Sequence, residues 1–252
     1  MRERVVCAVG TTEAHLAVGL GVDLRVLVEC GVRPVAVVAA VSAQDAGGLH
    51  ALGPLPPELI SSQIRSLHAV RIDAFRVGAL ADARSAAVVA EAIAPRHVPV
   101  VYDPVAASST GGVFADAATF ARIAQEFLNL HAVITPNLRE AGALTGSTVD
   151  DLPSMIAAAR TLCERGASAA LVKGGHLAGA PQDVLVYGDE VQVFTSERLD
   201  HEMRATGCVL ASALAAWLAR GAALPDAVEH ARAFVYEKIA HGHVFAGMRT
   251  AY

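Results

Sequence analysis

Arg204-Ala205-Thr206-Gly207-Cys208, followed without a break by Val209-Leu210-Ala211-Ser212-Ala213-Leu214-Ala215-Ala216-Trp217-Leu218, is the stretch whose reading decides the fold. Thr206 and Gly207 allow a tight turn, and the alanine- and leucine-rich run behind them has strong helix propensity. The segment therefore reads as a loop feeding a buried helix. Such a start leaves backbone N–H groups without helical partners, where the macrodipole favours an anion such as a transferring phosphate. Cys208 falls in the first turn, where that field lowers a thiol's pKa toward the thiolate. The same pentapeptide also suits an inert packed thiol, because cysteine is among the most buried residue types. Other segments must decide between the two.

With 252 residues, 54% hydrophobic and 5% aromatic, the chain suits a single α/β domain, residues 1–252. Small residues dominate it, which lets helices approach a mostly parallel sheet closely. The net charge is −5 and the basic residues are dispersed, so a nucleic-acid partner has little support. No apolar run reaches membrane-spanning length, and Met1-Arg2-Glu3-Arg4 does not lead into a secretory segment. A cytoplasmic protein without a membrane partner is expected. Cys7, Cys30, Cys163 and Cys208 are widely spaced without a C-x-x-C pair, which argues against structural zinc and a disulfide framework.

Short Val- and Ala-rich runs at residues 4–10, 34–41, 74–80, 98–102, 132–135 and 169–172 read as buried strands. Helical periodicity marks residues 16–30, 56–68, 82–94 and 154–165, with Asp82 as a cap and Gly166 as a stop. Residues 49–55 read as a short strand projecting from the sheet, and Gly188-Asp189-Glu190 as the turn of a hairpin. Helices at 208–220 and 224–240 are expected to end the ordered chain. This alternation predicts a sheet with helices on both faces and ligands beyond the C-terminal ends of the strands.

Several polar residues fall at those ends. Glu13 reads as a first-turn helix charge, His15 as a solvated loop histidine, and Asp23 either as a site carboxylate or as an ordinary exposed one. Gln44, in the polar break after the second strand, can donate and accept at once, which suits reading a ring nitrogen and its amino group; it is equally plain loop polarity. Asp103, before Pro104, is either a magnesium or phosphate-water ligand or a turn-forming aspartate. Ser108-Ser109-Thr110-Gly111-Gly112 reads as a flexible loop able to close over a ligand. Asn137 and Glu140, three apart, can orient waters around Mg²⁺ or form a capping box. In Lys173-Gly174-Gly175-His176, the glycines allow backbone approach to phosphate and the lysine adds a cation.

Ala43-Gln44, Asp103-Pro104-Val105, Ile134-Thr135-Pro136-Asn137-Leu138-Arg139-Glu140-Ala141, Leu171-Val172-Lys173-Gly174-Gly175-His176 and Thr206-Gly207-Cys208 occur in this order. Together they resemble the hydroxymethylpyrimidine/phosphomethylpyrimidine kinase family of the ribokinase-like fold. The resemblance covers nearly the whole chain, and its most specific parts are T-P-N-L-x-E-A and V-K-G-G-H combined with T-G-C. It implies a three-layer α/β/α architecture, ATP and Mg²⁺ as cofactors, and phosphorylation of hydroxymethylpyrimidine or its monophosphate in thiamine biosynthesis. It also implies a homodimer through the projecting strands.

By that resemblance Cys208 is the general base, and the N–H groups of Thr206, Gly207 and Cys208 form an anion hole. Lys173, Thr206 and Arg232 lie on the ATP and phosphate side, where Arg204, a departure from the family, adds a guanidinium able to hold phosphate; Asn137 and Glu140 organise the metal, with Asp103 the further candidate from its strand end; Gly10, Asp23, Gln44 and Leu80 line the pyrimidine side. The chain departs from the family pattern in its first loop, where Thr11-Thr12-Glu13-Ala14-His15-Leu16-Ala17-Val18 replaces a Gly-rich run. Arg204 and Ala205 replace a His-Gly pair, Arg232 replaces a lysine, and the Gly-rich C-terminal end is reduced to Ala246-Gly247-Met248-Arg249. If the lost glycine had positive φ, Ala205 is strained by about 1 kcal/mol. These departures leave two alternatives, a kinase for another ring alcohol of the pyridoxine type and a weakly catalytic pyrimidine sensor.

Overall fold

The computed structural model describes residues 2–107, 111–175, 177, 179–201 and 203–252. The expected flexible loop at Ser108-Ser109-Thr110, and His176 of the glycine-lysine segment, lie outside the described residues. In chain order the elements are β1 (Val5–Glu13), α1 (Leu20–Glu29), β2 (Arg33–Asp45), β3 (Gly48–Pro54), α2 (Pro57–Ser66), β4 (Ala74–Val77), α3 (Ala83–Ile93), β5 (Val100–Tyr102) and α4 (Ala117–Leu128). Then come β6 (Val133–Ile134), α5 (Leu138–Thr145), α6 (Leu152–Glu164), β7 (Ala169–Gly174), β8 (Gln182–Tyr187), β9 (Glu190–Thr195), α7 (Thr206–Ala219), α8 (Leu224–His241), β10 (His243–Phe245) and β11 (Met248–Thr250).

Nine strands form one sheet in the order β3-β2-β1-β4-β5-β6-β7-β8-β9. The run from β2 to β7 is parallel, while β3 pairs antiparallel with β2, and β8 and β9 continue antiparallel from β7. Helices α2 to α6 cover one face through a core that includes Phe75, Tyr102 and Phe127, and α1, α7 and α8 cover the other through Leu20, Val209 and Leu214. This is the expected three-layer α/β/α fold. Because β2 lies on one side of β1 and β4 on the other, the chain changes winding direction there, and such a switch point opens a ligand crevice. The N-terminus of α7 lies over it: this helix packs on β1, β4 and β5 and against α1 and α8.

Several local expectations change. β1 and β2 run past the predicted ends, so that Glu13 and Gln44 stand on strands and not in loops. Their long parallel pairing, interrupted by a bulge between Gly10 and Thr11, holds both extensions together beyond the main sheet. β4 stops at Val77 instead of Leu80. α4, amphipathic and capped by Asp116, was not expected from the sequence. After α8 the chain does not end its order but folds back as the hairpin β10–β11. Arg204 N–H donates to Arg249 O at 3.0 Å, tying this hairpin to the start of α7.

Candidate active site

Ala205 caps α7 in the left-handed region, with φ 63° and ψ 17°. The strain anticipated at this position is therefore present, and it turns the chain so that Thr206, Gly207 and Cys208 open the helix with free N–H groups. Gly207 has a packing role as well. A Cβ there would stand 3.0 Å from Lys173 Nζ and 3.5 Å from Asp103 Oδ2, so its absence lets an ammonium and a carboxylate lie directly against the helix start.

Lys173 Nζ donates to Asp103 Oδ1 at 2.8 Å, and Thr135 Oγ1 donates to the same oxygen at 3.2 Å. Burial disfavours charge on Asp103, but Lys173 and Arg76 outweigh it and hold the carboxyl below its usual range. Burial likewise opposes the charge on Lys173, and Asp103 and Glu140 more than restore it. Asp103 is thus an ion-pair partner at the end of β5. Its carboxylate oxygens already accept from Lys173, Thr135 and Arg76.

Arg76 is the residue that the sequence reading missed. It sits in the middle of β4 with 1% of its surface exposed. Its Nη1 lies 3.2 Å from Asp23 Oδ2 and its Nη2 3.4 Å from Asp103 Oδ2. The Cys208 thiol lies close enough for its charge state and that of the guanidinium to act on each other. A charged residue inside Ala74-Phe75-Arg76-Val77, an otherwise apolar strand in a parallel sheet, was the available signal. Asp23, for which an ordinary exposed carboxylate was one reading, is instead fully buried. Ser212 Oγ of α7 donates to its Oδ1 at 2.9 Å, and burial pushes its pKa up to about 6.

Cys208 is half-buried between these groups. The expectation of a thiol lowered by the helix start does not hold: burial pushes the pKa up to about 11. Arg76 and the N–H of Gly19 pull it down, while Asp23 and Asp103 push it further up. Desolvation and two carboxylates outweigh one guanidinium and a helix terminus.

Asn137 and Glu140 form the capping box of α5. Asn137 Oδ1 accepts from Glu140 N–H at 2.9 Å, and Glu140 Oε2 from Asn137 N–H at 2.8 Å. Glu140 is also buried, which pushes its pKa up to about 7, and it faces Lys173 and Asp103. No cluster of three metal-ligating side chains exists among the described residues. The carboxylates of Glu140 and Asp103 lie near each other here, and two are enough for Mg²⁺, which keeps several waters and is bound through one or two carboxylates and substrate phosphates. Arg232 is placed on the β8–β9 side: its Nε donates to Asp183 Oδ2 at 2.7 Å, and Asp183 Oδ1 accepts from Gly174 N–H at 2.9 Å. This links Arg232 to the segment after Lys173.

On the other side of Cys208, the extended ends of β1 and β2 bring Glu13, Ala17, Val18, Gln44, Arg204 and Met248 together around a space too small, as it stands, to admit a water molecule. Gln44 is buried, and its Nε2 donates to Ser42 Oγ at 3.0 Å. Arg204 therefore lies on the Gln44 side and not with Lys173; its Nη1 donates to the carbonyl of Asp45 at 3.0 Å. Glu13 is not a helix charge. Its carboxylate accepts from the N–H groups of His15 (2.5 Å), Ala17 (2.6 Å) and Val18 (3.2 Å), so it organises the loop that lost its glycines. Leu16 in that loop has φ 55°, whereas Gly19 must stay glycine because a Cβ would stand 2.3 Å from Thr11 O. His15 rests edge-on against Phe245 of β10. Gly10 lies at the β1 bulge, where a Cβ would meet the backbone of Gly78 and Ala79 at an ordinary 3.8 Å, and Leu80 is part of the apolar core beside α2 and α3.

The family pattern described as phosphomethylpyrimidine kinase matches residues 17–250. The hydroxymethylpyrimidine/phosphomethylpyrimidine kinase of Streptomyces coelicolor is 34% identical over 245 residues, covering 96% of this chain and 91% of that protein. Among solved structures, phosphomethylpyrimidine kinase from Clostridium difficile has a TM-score of 0.83 at 24% identity, covering 94% of this chain and 100% of that one. Staphylococcus aureus pyridoxal kinase in complex with AMP-PCP and pyridoxal has a TM-score of 0.90 at 23% identity, covering 99% and 93%. These two likenesses show the shared ribokinase-like fold, whereas the family pattern and the Streptomyces relative place the sequence itself: the chain is a kinase and belongs to the phosphomethylpyrimidine kinase family.

Proposed function

We propose that the chain transfers the γ-phosphoryl group of ATP to the hydroxymethyl group of an aminopyrimidine, or to the phosphate of its monophosphate, in thiamine biosynthesis. The observation that carries this reading is the helix start of α7 with Lys173 and Asp103 beneath Gly207 and Cys208 beside it. Phosphoryl transfer demands positioning and charge stabilisation more than covalent chemistry, and these groups supply a backbone anion hole with a cation behind it.

In this reading the N–H groups of Thr206, Gly207 and Cys208 hold the transferring phosphoryl oxygens, and Lys173 neutralises them. The acceptor oxygen forms a bond to the γ-phosphorus as the bond to the ADP oxygen breaks. When the acceptor is an alcohol, its proton passes to the Cys208 thiolate, so this step runs in the fraction of the protein whose thiol has ionised. Asp103 and Glu140 would hold the waters of a magnesium ion, with Asn137 fixing Glu140; bound with ATP, that ion neutralises phosphate charge. Arg232, through Asp183, braces the backbone after Lys173 on the nucleotide side. Gln44 reads the ring, because its amide can pair with a ring nitrogen and an adjacent amino group together. Arg204, beside Gln44, places a guanidinium where an acceptor phosphate would lie.

A pyridoxine-type alcohol is the second reading, favoured by the altered loop at Leu16-Ala17-Val18 on the acceptor side. The test is ATP consumption by the unmodified chain and by Gln44→Leu. Loss of aminopyrimidine turnover in the variant, with ATP binding retained, supports the first reading. Turnover indifferent to Gln44 sinks it.

A further inference from the structure

Arg76 occupies a strand position where both faces of a parallel sheet are covered and an apolar side chain is the rule. Isolated, a buried guanidinium would be strongly unfavourable, and even a well-paired buried ion cluster rarely adds stability over an apolar one. What such a cluster provides is fixed geometry. Here the chain of contacts runs from Ser212 on α7 through Asp23 on α1, Arg76 on β4 and Asp103 after β5 to Lys173 on β7. It joins the helix that opens the anion hole to the strands beneath it. The space is reserved for the guanidinium, since a Cβ on Gly78 would stand 1.7 Å from Arg76 Nη1.

We infer that Arg76 is a positioning residue for phosphoryl transfer, an inference that rests on the kinase reading. Its fork holds the carboxylates of Asp23 and Asp103 together, its charge acts on the nearby thiol of Cys208, and through Asp103 it sets Lys173 against the start of α7. Arg76 itself is too deep to meet a substrate. Its charge is the essential property, because Asp23 and Asp103 both face Cys208 and leave Arg76 and Lys173 as the cations of the cluster.

The test compares Arg76→Lys, which keeps the charge, with Arg76→Gln, which keeps donors and loses it. Three readouts are taken: melting temperature, the separate kcat and KM values for aminopyrimidine and ATP, and the rate at which iodoacetamide alkylates Cys208, followed on its own peptide. A misplacement on the order of 1 Å near the chemistry can lower rate by about 10²-fold. Arg76→Gln is therefore expected to lose kcat by that order with KM for ATP little changed, and to alkylate Cys208 several-fold more slowly; Arg76→Lys should restore both. If Arg76→Gln does not fold, Arg76→Lys still decides, because a folded lysine variant with kcat and alkylation far below the parent overturns the charge-based role. Unchanged kcat and alkylation in folded Arg76→Gln overturn it too. The alkylation needs no substrate, so it separates failure of this inference from failure of the proposed reaction.

Discussion

Lys173 Nζ lies 3.0 Å from the point where a Cβ on Gly207 would stand, and it is held there by Asp103 at 2.8 Å. The smallest residue thus lets the ammonium approach the N-terminus of α7. Alanine suits a helix better than glycine, so Gly207→Ala should not destabilise α7 by propensity. It should instead displace Lys173 and lower kcat at least about tenfold, the scale of one lost charge-stabilising contact. The check is kcat alongside the melting temperature. Parent-like turnover would show that Lys173 has no part in transfer.

Ala205 pays for its left-handed conformation without the freedom of glycine. Ala205→Gly should remove that strain and, after the added flexibility of the unfolded chain is subtracted, stabilise by about 0.5–1 kcal/mol. Thermal unfolding should then shift upward by about 1–4 °C for a chain of this size. A lower melting temperature would contradict the assigned backbone geometry.

Burial holds the thiol of Cys208 at a pKa of about 11, so in the free protein it is protonated at neutral pH. If the thiolate is the base for an alcohol acceptor, kcat/KM must rise with pH, because that parameter follows the free enzyme's ionisation. The rise should approach about tenfold per pH unit above neutrality until another group titrates. A monophosphate acceptor is already ionised and should show a flatter profile. Cys208→Ala should accordingly damage alcohol turnover more than phosphate turnover. Equal pH profiles for both acceptors would remove Cys208 from the proton path.

Glu140 serves as a cap and faces Lys173, and the two roles respond differently to one change. Glutamine can complete a capping box as glutamate does, so Glu140→Gln should keep the melting temperature. It should raise the magnesium concentration needed for half-maximal turnover several-fold. An unchanged magnesium requirement would leave Glu140 with the cap alone.

Much of this architecture was legible because periodicity and punctuation are local. The strands from Val5 to Gly174, the caps at Asp82 and Asn137, and the turn before α7 announced themselves in short windows. What escaped depended on distant partners. Asp23 looks like any helix carboxylate until Arg76, 53 positions later, is folded against it. Cys208 sits at a helix start that lowers thiol pKa in general, but burial beneath other elements, and then Asp23 and Asp103 which those elements bring, oppose it. Arg204 reads as a guanidinium able to hold phosphate; that it stands beside Gln44 follows from the left-handed Ala205 and the hairpin β10–β11, which the sequence did not announce.

The central claim is that Gln44 and the α7 helix start serve one reaction on an aminopyrimidine. Its most direct measurement is ADP formation by the unmodified chain with hydroxymethyl-aminopyrimidine, its monophosphate and pyridoxal offered separately and in competition. The account predicts turnover of one or both pyrimidines in preference to pyridoxal, and loss of that preference in Gln44→Leu. Faster turnover of pyridoxal than of either pyrimidine, unaltered by Gln44→Leu, would contradict it.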